Sequence, residues 1–463
     1  MLEHNGAGVP CDLLVTNAHL VCMDAERSVI RDGAIAVNGT RIVAIGSTGE
    51  LKARHTARRT IDAKGCLVHP GFIDTHLHIS QQISRGFDEL LARNPGVDVN
   101  YADWKAQLHD FEETASTQLG ALDLLKNGFT GFVDGGTAFN PDAVAEAARQ
   151  LGVRAWTTDP YVWDQSDIMD AIPRLMSPEL RARAPFGLDH ALSVLGGQMK
   201  WNGDEDGLVR GYISLYGLGT ASDALQLAAH KLARSNGTAF VQHAGYVLGM
   251  TEWTERQLGK PYVDHLAEIG VLDDLAVLAH FNVARDSEID LVEKAGASVI
   301  WCPANYLFFA AREGLRGRMP ELHRRGIRLT LCADTPKNCT VGETGGFALH
   351  AAAESGTVLR GADILAMLTS NAAAAFQAND LGSLEVGKRA DIVIRRDAPD
   401  MQPCLDPHFQ LAVLGRSPSV RTVIVNGQVA LEDGQSTRID EAKLYADVQA
   451  ASKGMNDRLG LRQ

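Results

Sequence analysis

Two histidines, His76 and His78, end an apolar run in the stretch His69-Pro-Gly-Phe-Ile-Asp-Thr-His-Leu-His78. In an extended chain, residues i and i+2 project from the same face, so both imidazoles can bind one cation from one side. The Pro-Gly pair interrupts what precedes it, and the Phe-Ile pair gives a short β-type run that places the histidines at the C-terminal end of a strand. The pair therefore predicts half of a metal site.

Three more side chains that can bind a metal stand at the ends of other apolar runs. His243 lies in Val-Gln-His-Ala, His280 in Leu-Ala-His-Phe and Asp334 in Leu-Cys-Ala-Asp. Three histidines and an aspartate would supply neutral nitrogen and a hard anionic oxygen. This ligand set suits Zn²⁺, Fe²⁺, Co²⁺ or Mn²⁺ and leaves one position for water. The residue types therefore predict a divalent metal ion with an open coordination position.

These side chains can meet only if the runs that carry them are neighbouring strands. Besides the run before His76, strand-like runs lie at residues 131–133, 153–157, 211–215, 239–243, 275–280, 298–302 and 328–333. Segments with helical apolar spacing lie between them, at residues 114–126, 142–151 and 223–233. Eight repeated strand and helix units predict an α/β fold, with a parallel sheet closed into a TIM-like (β/α)8 barrel. Active sites of such barrels lie at the C-terminal ends of the strands, where these five side chains stand.

The two ends of the chain carry a shorter β pattern. An Asn-Gly turn at residues 38–39 lies between apolar alternations, and a second one follows at residues 426–427. Asn-Gly in that setting is a strong hairpin signal. We predict three parts: a small β-sandwich from residues 1–67 and 381–440, the barrel from 68–380, and a C-terminal helix and tail from 441–463.

Composition restricts the partners and the compartment. The formal net charge of −13 argues against nucleic acid or an anionic membrane, because either would require a basic face. No uninterrupted apolar run approaches the roughly 18 residues of a spanning helix. The seven cysteines lack CxxC spacing, and the first residues lack the basic and apolar regions of a secretory signal. We expect a cytoplasmic enzyme with a small-molecule substrate, no nucleic acid and no membrane.

The stretch from His69 to His78, followed by Arg85-Gly86, resembles the first-strand signature of the amidohydrolase superfamily. Within that superfamily it is similar to the branch of triazine hydrolases and nucleobase or nucleoside deaminases. The stretch from Leu381 to Ile394, with the sequence LGSLEVGKRADIVI, also resembles the sandwich segment of the superfamily. Two distant stretches therefore support one family.

This resemblance implies a role for each strand-end side chain. It assigns His76, His78, His243 and Asp334 as metal ligands. It places His280 beside the bound water, where the imidazole orients the water or polarises the scissile carbonyl, and direct ligation by His280 is the main variant. Binuclear relatives carry a carboxylated lysine on strand four, which residues 211–217 lack, so we expect one ion per subunit.

Two intervals, residues 81–113 and 163–206, are longer than a plain barrel requires. They can act as lids or as contacts between subunits, and the sequence does not decide between these roles. The resemblance implies a homo-oligomer, because the family tends to assemble and the long intervals offer surface.

One departure from the deaminases lies on strand five. Deaminating relatives carry His-x-x-Glu there, and the glutamate protonates the ring nitrogen, whereas here His243 is followed by Ala-Gly-Tyr246. A phenol, with a pKa of about 10, replaces the carboxylic acid. Hydrolysis at a carbonyl carbon does not require this acid, because activated water, an oxyanion stabiliser and a proton for the leaving group suffice.

Other residues near the strand ends are candidates for substrate contact. Lys337, three residues after Asp334, can donate to a substrate oxygen or leaving group, although an outward solvated lysine is the simpler alternative. The remaining candidates are Tyr246, Asn282, Asn305, Phe308, Phe309 and Asn338. The aromatic residues after strand seven form either core or an apolar substrate pocket. This combination resembles the phenylurea hydrolases and the thiocarbamate (molinate) hydrolase.

The leading hypothesis is a metal-dependent hydrolase that cleaves a C–N or C–S bond beside the carbonyl of a small, apolar urea, thiocarbamate or amide. Asp334 would carry the proton from water to the leaving group, and His280 would stabilise the oxyanion. The enzyme alternative is a deaminase or dechlorinase of a triazine, pterin or purine, with Tyr246 or Lys337 as proton donor. The third is a non-catalytic structural relative, which eroded ligands would indicate.

Overall fold

The computed structural model describes residues 8–172, 175–203, 207–335 and 339–462. The strands are β1 (Val9–Val21), β2 (Val29–Asn38), β3 (Arg41–Ser47), β4 (His55–Asp62), β5 (Leu67–Pro70), β6 (Phe72–Leu77), β7 (Phe129–Asp134), β8 (Arg154–Thr157), β9 (Val209–Gly211), β10 (Ile213–Gly217), β11 (Phe240–Ala244), β12 (Ala276–His280), β13 (Ser298–Trp301), β14 (Arg328–Leu331), β15 (Ile392–Arg395), β16 (Val420–Val425), β17 (Gln428–Glu432) and β18 (Gln435–Ser436).

The helices follow the same chain order. The α-helices are α1 (Thr48–Arg54), α2 (Phe87–Ala92), α3 (Tyr101–Ala106), α4 (Asp110–Lys126), α5 (Pro141–Leu151), α6 (Asp167–Ala171), α7 (Pro178–Arg183), α8 (Leu188–Val194), α9 (Asp223–Asn236), α10 (Leu248–Leu258), α11 (Tyr262–Glu268), α12 (Asp286–Ala295), α13 (Pro303–Asn305), α14 (Met319–Arg324), α15 (Thr344–Glu354), α16 (Gly361–Leu368), α17 (Ser370–Ala375), α18 (Pro407–Phe409) and α19 (Glu441–Arg458). Short 3-10 or π-helical segments occupy Ile79–Ser84, Gly197–Gly203, Tyr306–Ala310, Ala311–Glu313, Val341–Glu343, Pro399–Met401, Gln410–Leu414 and Ser417–Ser419.

Two parallel sheets form the barrel. One has the order β6-β7-β8-β9 and the other β10-β11-β12-β13-β14. β9 and β10 are two pieces of one barrel strand that is interrupted at Tyr212, where the sequence predicted a single run. A parallel bridge between Leu77 and Asp334 joins the first strand to the last. The predicted (β/α)8 barrel is therefore confirmed.

The burial of the barrel strands and the caps of the helices follow from the local sequence. Strands β6, β7, β11 and β12 are buried along their whole length, as expected for strands covered on both faces. Helix α5 shows how a crossover helix is delimited. The Asn140 side chain accepts a hydrogen bond from Ala143 N, a proline occupies the first turn, and Gly152 ends the helix in the left-handed conformation.

A nine-stranded sheet combines strands from both ends of the chain. Its order is β18-β17-β16-β15-β5-β1-β2-β3, with β4 paired to β1. β5 pairs with β15 in antiparallel and with β1 in parallel fashion, so the terminal segments meet as predicted. β5 extends to Pro70, past the boundary predicted at residue 67. The other predicted domain boundaries stay predictions.

The described chain contains no helix with both the length and the apolar character needed to cross a membrane. The cytoplasmic location and the homo-oligomer stay predictions.

The C-terminal helix α19 packs beside α4, where Arg458 Nη2 lies 2.7 Å from Glu112 Oε1.

A buried ion pair ties the barrel to the terminal sheet. Arg154, in β8, donates from Nε and Nη2 to the two carboxylate oxygens of Asp391 at 2.7 and 2.8 Å. Asp391 also accepts from the Asn426 backbone N at 2.8 Å. Since both charged side chains are buried, removing one leaves the other uncompensated.

We expect Asp391→Ala to lower the free energy of unfolding by about 3–5 kcal/mol, because the Arg154 guanidinium loses its buried partner. Asp457→Ala is the matched control, because it removes the exposed pair with Lys453 and should cost less than about 1 kcal/mol. Denaturant unfolding followed by circular dichroism measures both. Equal losses in the two variants would contradict this account of the interface.

Candidate metal centre and active site

The five strand-end side chains meet where the barrel closes. His78 N donates to Asp334 O at 2.9 Å, and Asp334 N donates to His76 O at 3.0 Å. These two backbone bonds join β6 to the residues that follow β14. Asp74 supports the same junction, because its carboxyl accepts from His76 N at 3.1 Å and from Ala333 N at 2.9 Å. Burial raises the pKa of Asp74 to about 8.

The nitrogen and oxygen atoms of the five side chains form two groups that share His76, and each group is compact enough to hold an ion. One ligand atom from each of His76, His78 and His243 lies within 4.8 Å of the others. His76, His280 and Asp334 form a second group within the same limit. Asp334 Oδ1 lies 3.3 Å from His78 Nε2 and 3.7 Å from His76 Nε2. Two ligands each about 2.1 Å from a tetrahedral ion lie about 3.4 Å apart.

Hydrogen bonds on the far sides of two rings direct Nε2 toward this centre. His243 Nδ1 lies 2.7 Å from the backbone oxygen of Tyr216. A carbonyl only accepts, so the proton is on Nδ1 and the Nε2 lone pair is free for a metal. His78 Nδ1 lies 2.8 Å from Thr137 Oγ1, and the tautomer that donates there carries its lone pair on Nε2, which faces Asp334 Oδ1.

The remaining imidazoles have the chemistry of metal ligands. Both ring nitrogens of His76, and Nδ1 of His280, are buried and make no hydrogen bond in the described chain. Burial holds the pKa of His76 and His280 well below the usual range and lowers the pKa of His243 to about 4. Neutral imidazole is the form that binds metals. The cluster therefore fits a divalent ion.

Backbone conformation at the ligands is strained in the way seen at functional sites. His280 has φ of 74° and Asp334 has φ of 63°, a left-handed conformation that side chains other than glycine seldom adopt. Gly135, after β7, has a different constraint. A Cβ atom there would lie 2.7 Å from the Nδ1 and Cε1 atoms of His78, so the ring position requires glycine.

A cavity of about 490 Å³ opens above the cluster. Both long intervals contribute to its wall, and Lys105 is the one lysine or arginine among the described residues that line it. Its apolar lining residues include Phe87, Leu91, Val99, Ile172, Leu175, Leu218, Val247, Met250, Phe308 and Phe309. Both intervals therefore contribute to the cavity wall, and their roles as lids or as contacts between subunits stay predictions.

The structure separates the predicted substrate-contacting residues into groups. Tyr246, Asn305, Phe308 and Phe309 line the cavity. The Tyr246 ring lies 4.5 Å from the His280 ring and 6.1 Å from the Phe309 ring. Asn282 is absent from the described lining, and its Nδ2 donates to Tyr246 O at 3.1 Å. It supports the backbone of a lining residue instead.

Lys337 and Asn338 lie outside the described residues, so their predicted roles stay predictions. Among the described lining residues, the carboxylates besides Asp334 are those of Asp88 and Glu313. Both are exposed. Apart from Asp334, the described part of the cavity wall therefore contains no buried carboxyl group, in agreement with the absence of His-x-x-Glu.

Two positioning contacts were missed at the sequence level. Thr137 contacts His78 and also accepts from Gln81 Nε2 at 2.9 Å. Tyr101 in turn donates to Gln81 Oε1 at 2.9 Å. Thr137 follows β7 in Asp-Gly-Gly-Thr, and the rule that strand ends converge could have indicated it. Tyr216 O could not be found, because a backbone carbonyl leaves no signal in residue type.

A family model described as "Amidohydrolase family" matches residues 67–430, and one described as "Imidazolonepropionase-like composite domain, bacteria" matches residues 33–57. The chain therefore belongs to the amidohydrolase family and is a metal-dependent hydrolase. The four side chains that the resemblance assigns as ligands, and His280 of the variant, are all present, whereas the non-catalytic alternative expected eroded ligands.

Curated relatives match almost the entire chain. A 5-methylthioadenosine/S-adenosylhomocysteine deaminase of Nitratidesulfovibrio vulgaris is 26% identical and covers 97% of this chain and 99% of its own. A 5'-deoxyadenosine deaminase of Methanosarcina mazei is 25% identical, over 96% and 98%. These names favour the deaminase alternative over the urea and thiocarbamate hypothesis.

Solved structures share the fold. An adenosine deaminase from Xanthomonas campestris with bound zinc has a TM-score of 0.84 at 23% identity, covering 97% of this chain and 100% of its own. An atrazine chlorohydrolase from Arthrobacter aurescens TC1 complexed with zinc has a TM-score of 0.78 at 23% identity, over 95% and 100%. The narrower resemblance to phenylurea and molinate hydrolases gains no support from these relatives.

Proton linkage at His243 gives a test on metal-free protein. The pKa of this ring is 6.5 in its ordinary state and about 4 when buried, so between those values the unfolded chain binds a proton that the folded chain does not. The stability that the neutral ring confers is present above pH 6.5 and is lost as the pH falls toward 4.

We expect His243→Asn to reduce the slope of unfolding free energy against pH in that window by up to about 1.4 kcal/mol per pH unit. Urea unfolding in the presence of a chelator, at several pH values between the two pKa values, measures the slope. A variant with the wild-type slope would show that the ring is not held neutral.

Proposed function

We propose that this protein releases an amine from the ring carbon of a small N-heterocycle by hydrolysis, with one divalent ion held by His76, His78, His243, His280 and Asp334. The observation that carries the proposal is the match of adenine-nucleoside deaminases over nearly the whole of both chains. The geometry agrees, because the rings of Tyr246, His280 and Phe309 are neighbours in the cavity wall and offer aromatic contacts to a planar substrate.

Electrostatics assign a role to each polar group in the site. A bound divalent ion lowers the pKa of water to about 7 and so supplies hydroxide near neutral pH. Burial raises the pKa of the Tyr246 phenol well above its usual range, so Tyr246 stays protonated and can donate a hydrogen bond to a ring nitrogen. Asp334 lies beside His76 and His78 and lines the cavity, so its carboxylate can carry a proton between water and substrate.

The reaction balances with these groups. A C–O bond forms and the C–N bond breaks, while the electron pair of the C–N bond leaves with the amine. One proton of the water passes through Asp334 to the departing nitrogen, and the other remains on the heterocyclic product. Tyr246 donates without losing its proton, which fits its raised pKa.

A second candidate is hydrolysis of an amide, urea or thiocarbamate carbonyl. The specific observation in its favour is Tyr246, a phenol, in the position where deaminating relatives have a carboxylic acid. A carbonyl oxygen accepts developing negative charge and requires only a hydrogen-bond donor there. The apolar lining of the cavity suits such substrates equally well.

The test is a product assay on metal-loaded protein. We expect ammonia from at least one of adenosine, 5'-methylthioadenosine, an aminotriazine and a pterin, and no amine from a phenylurea or thiocarbamate. Tyr246→Phe should lower kcat on the active heterocycle by about 10²-fold, with a much smaller change in KM, because the donor acts mainly in the transition state.

Phe308→Leu is a matched control, because it alters an aromatic lining residue without removing a hydrogen-bond donor. Its effect on kcat should be much smaller than that of Tyr246→Phe. Amine release from the urea or thiocarbamate, with no ammonia from any heterocycle, would overturn the proposal and favour the second candidate.

A further inference from the structure

Asn305 lies at the end of α13, directly after β13, and its amide orientation is fixed by its partner. Its Nδ2 donates to Asp334 Oδ2 at 2.6 Å. An ionised carboxylate only accepts hydrogen bonds, so the NH₂ group faces Asp334 and the amide oxygen faces away. Asp334 then has two distinct oxygens, because Oδ1 faces His76 and His78.

The Asn305 amide oxygen is a buried acceptor beside the substrate cavity, and no described residue donates a hydrogen bond to it. Asn305 lines the cavity and is 4% exposed, and its Oδ1 is buried and accepts no hydrogen bond from the described residues. A buried carbonyl without a donor is unfavourable and rare. A ligand that brings an N–H to this position satisfies it.

Tyr246 supplies the complementary donor. Asn305 Nδ2 lies 3.5 Å from the Tyr246 hydroxyl oxygen, which accepts this long hydrogen bond. The hydroxyl hydrogen of Tyr246 is therefore directed away from Asn305. Since Tyr246 also lines the cavity, the wall presents an acceptor and a donor side by side.

We infer that Asn305 makes the site selective for leaving groups that carry an N–H. Its Oδ1 accepts a hydrogen bond from the departing amine, while the Tyr246 hydroxyl donates to the adjacent ring nitrogen. The inference rests on the proposed function and narrows it, because an N=C–NH unit satisfies both groups. A halide, a thiolate or a dialkylamine leaves the Asn305 oxygen without a donor.

The test is a leaving-group series on one ring. Purine ribosides that carry amino, methylamino, dimethylamino or chloro groups at carbon 6 are compared by kcat/KM with metal-loaded protein. We expect the wild type to favour the amino and methylamino compounds over the dimethylamino and chloro compounds by at least about ten-fold, although chloride is intrinsically the better leaving group. In Asn305→Leu this preference should shrink to about two-fold.

Asn282→Leu is the matched control. It removes a buried amide of the same size whose Nδ2 donates to a backbone oxygen, and it should retain the wild-type ratio across the series. Elemental analysis of both variants shows whether each still holds the ion. The wild-type series is informative by itself, so a poorly folded variant does not remove the test.

Two outcomes overturn the inference: a wild type with no preference for N–H leaving groups, or an Asn305→Leu variant with the full preference. If no purine riboside reacts, the same series is made on the aminotriazine or pterin that releases ammonia. If no heterocycle reacts, the proposed function fails separately. Selectivity is then measured on phenylureas whose leaving nitrogen carries or lacks a hydrogen. A preference for the urea with the N–H leaving group that is lost in Asn305→Leu would support the role of Asn305. Equal rates of the wild type on the two ureas would overturn it.

Discussion

The closure of the barrel is the interaction on which the site depends. Two backbone hydrogen bonds between His78, Asp334 and His76 join the first strand to the residues after the last one. The same residues carry ligand side chains, so the bonds that close the fold also bring three metal-binding groups together. The Asp74 carboxyl accepts hydrogen bonds from backbone N–H groups on both sides of this junction. The stability of the junction is therefore coupled to the positions of the ligands.

Burial then determines the chemistry of these groups. It keeps the imidazoles neutral, and contacts such as that of His243 with Tyr216 O orient the lone pairs. Unpartnered nitrogens on His76 are costly in an apolar interior unless a cation is bound. The left-handed backbone conformations of His280 and Asp334 are energetically unfavourable, and such strain is typical of residues whose side chains must be held in a functional position.

Much of this could be predicted from residue types and spacing. The five candidate ligands and the strands that carry them follow from apolar runs that end in His or Asp, because parallel strands bring their C-terminal ends together. The break at Tyr212 and the contact of Asn305 with Asp334 depend on side-chain rotation and long-range packing, which no local pattern encodes. The sequence showed that Tyr246 stands where deaminating relatives have a glutamate. It did not show which residues contact the Tyr246 phenol. The hypothesis of a urea or thiocarbamate hydrolase rested partly on the absence of this glutamate. Relatives that match the whole chain favour deamination instead.

We propose that these five side chains form one metal site per chain. The direct measurement is the content of divalent metal after the protein is stripped with a chelator, reloaded and desalted, compared with a His76→Ala, Asp334→Ala double variant treated identically. The account predicts one ion per chain in the wild type and much less than one in the variant. Two ions per chain, or an equal content in both proteins, would contradict it.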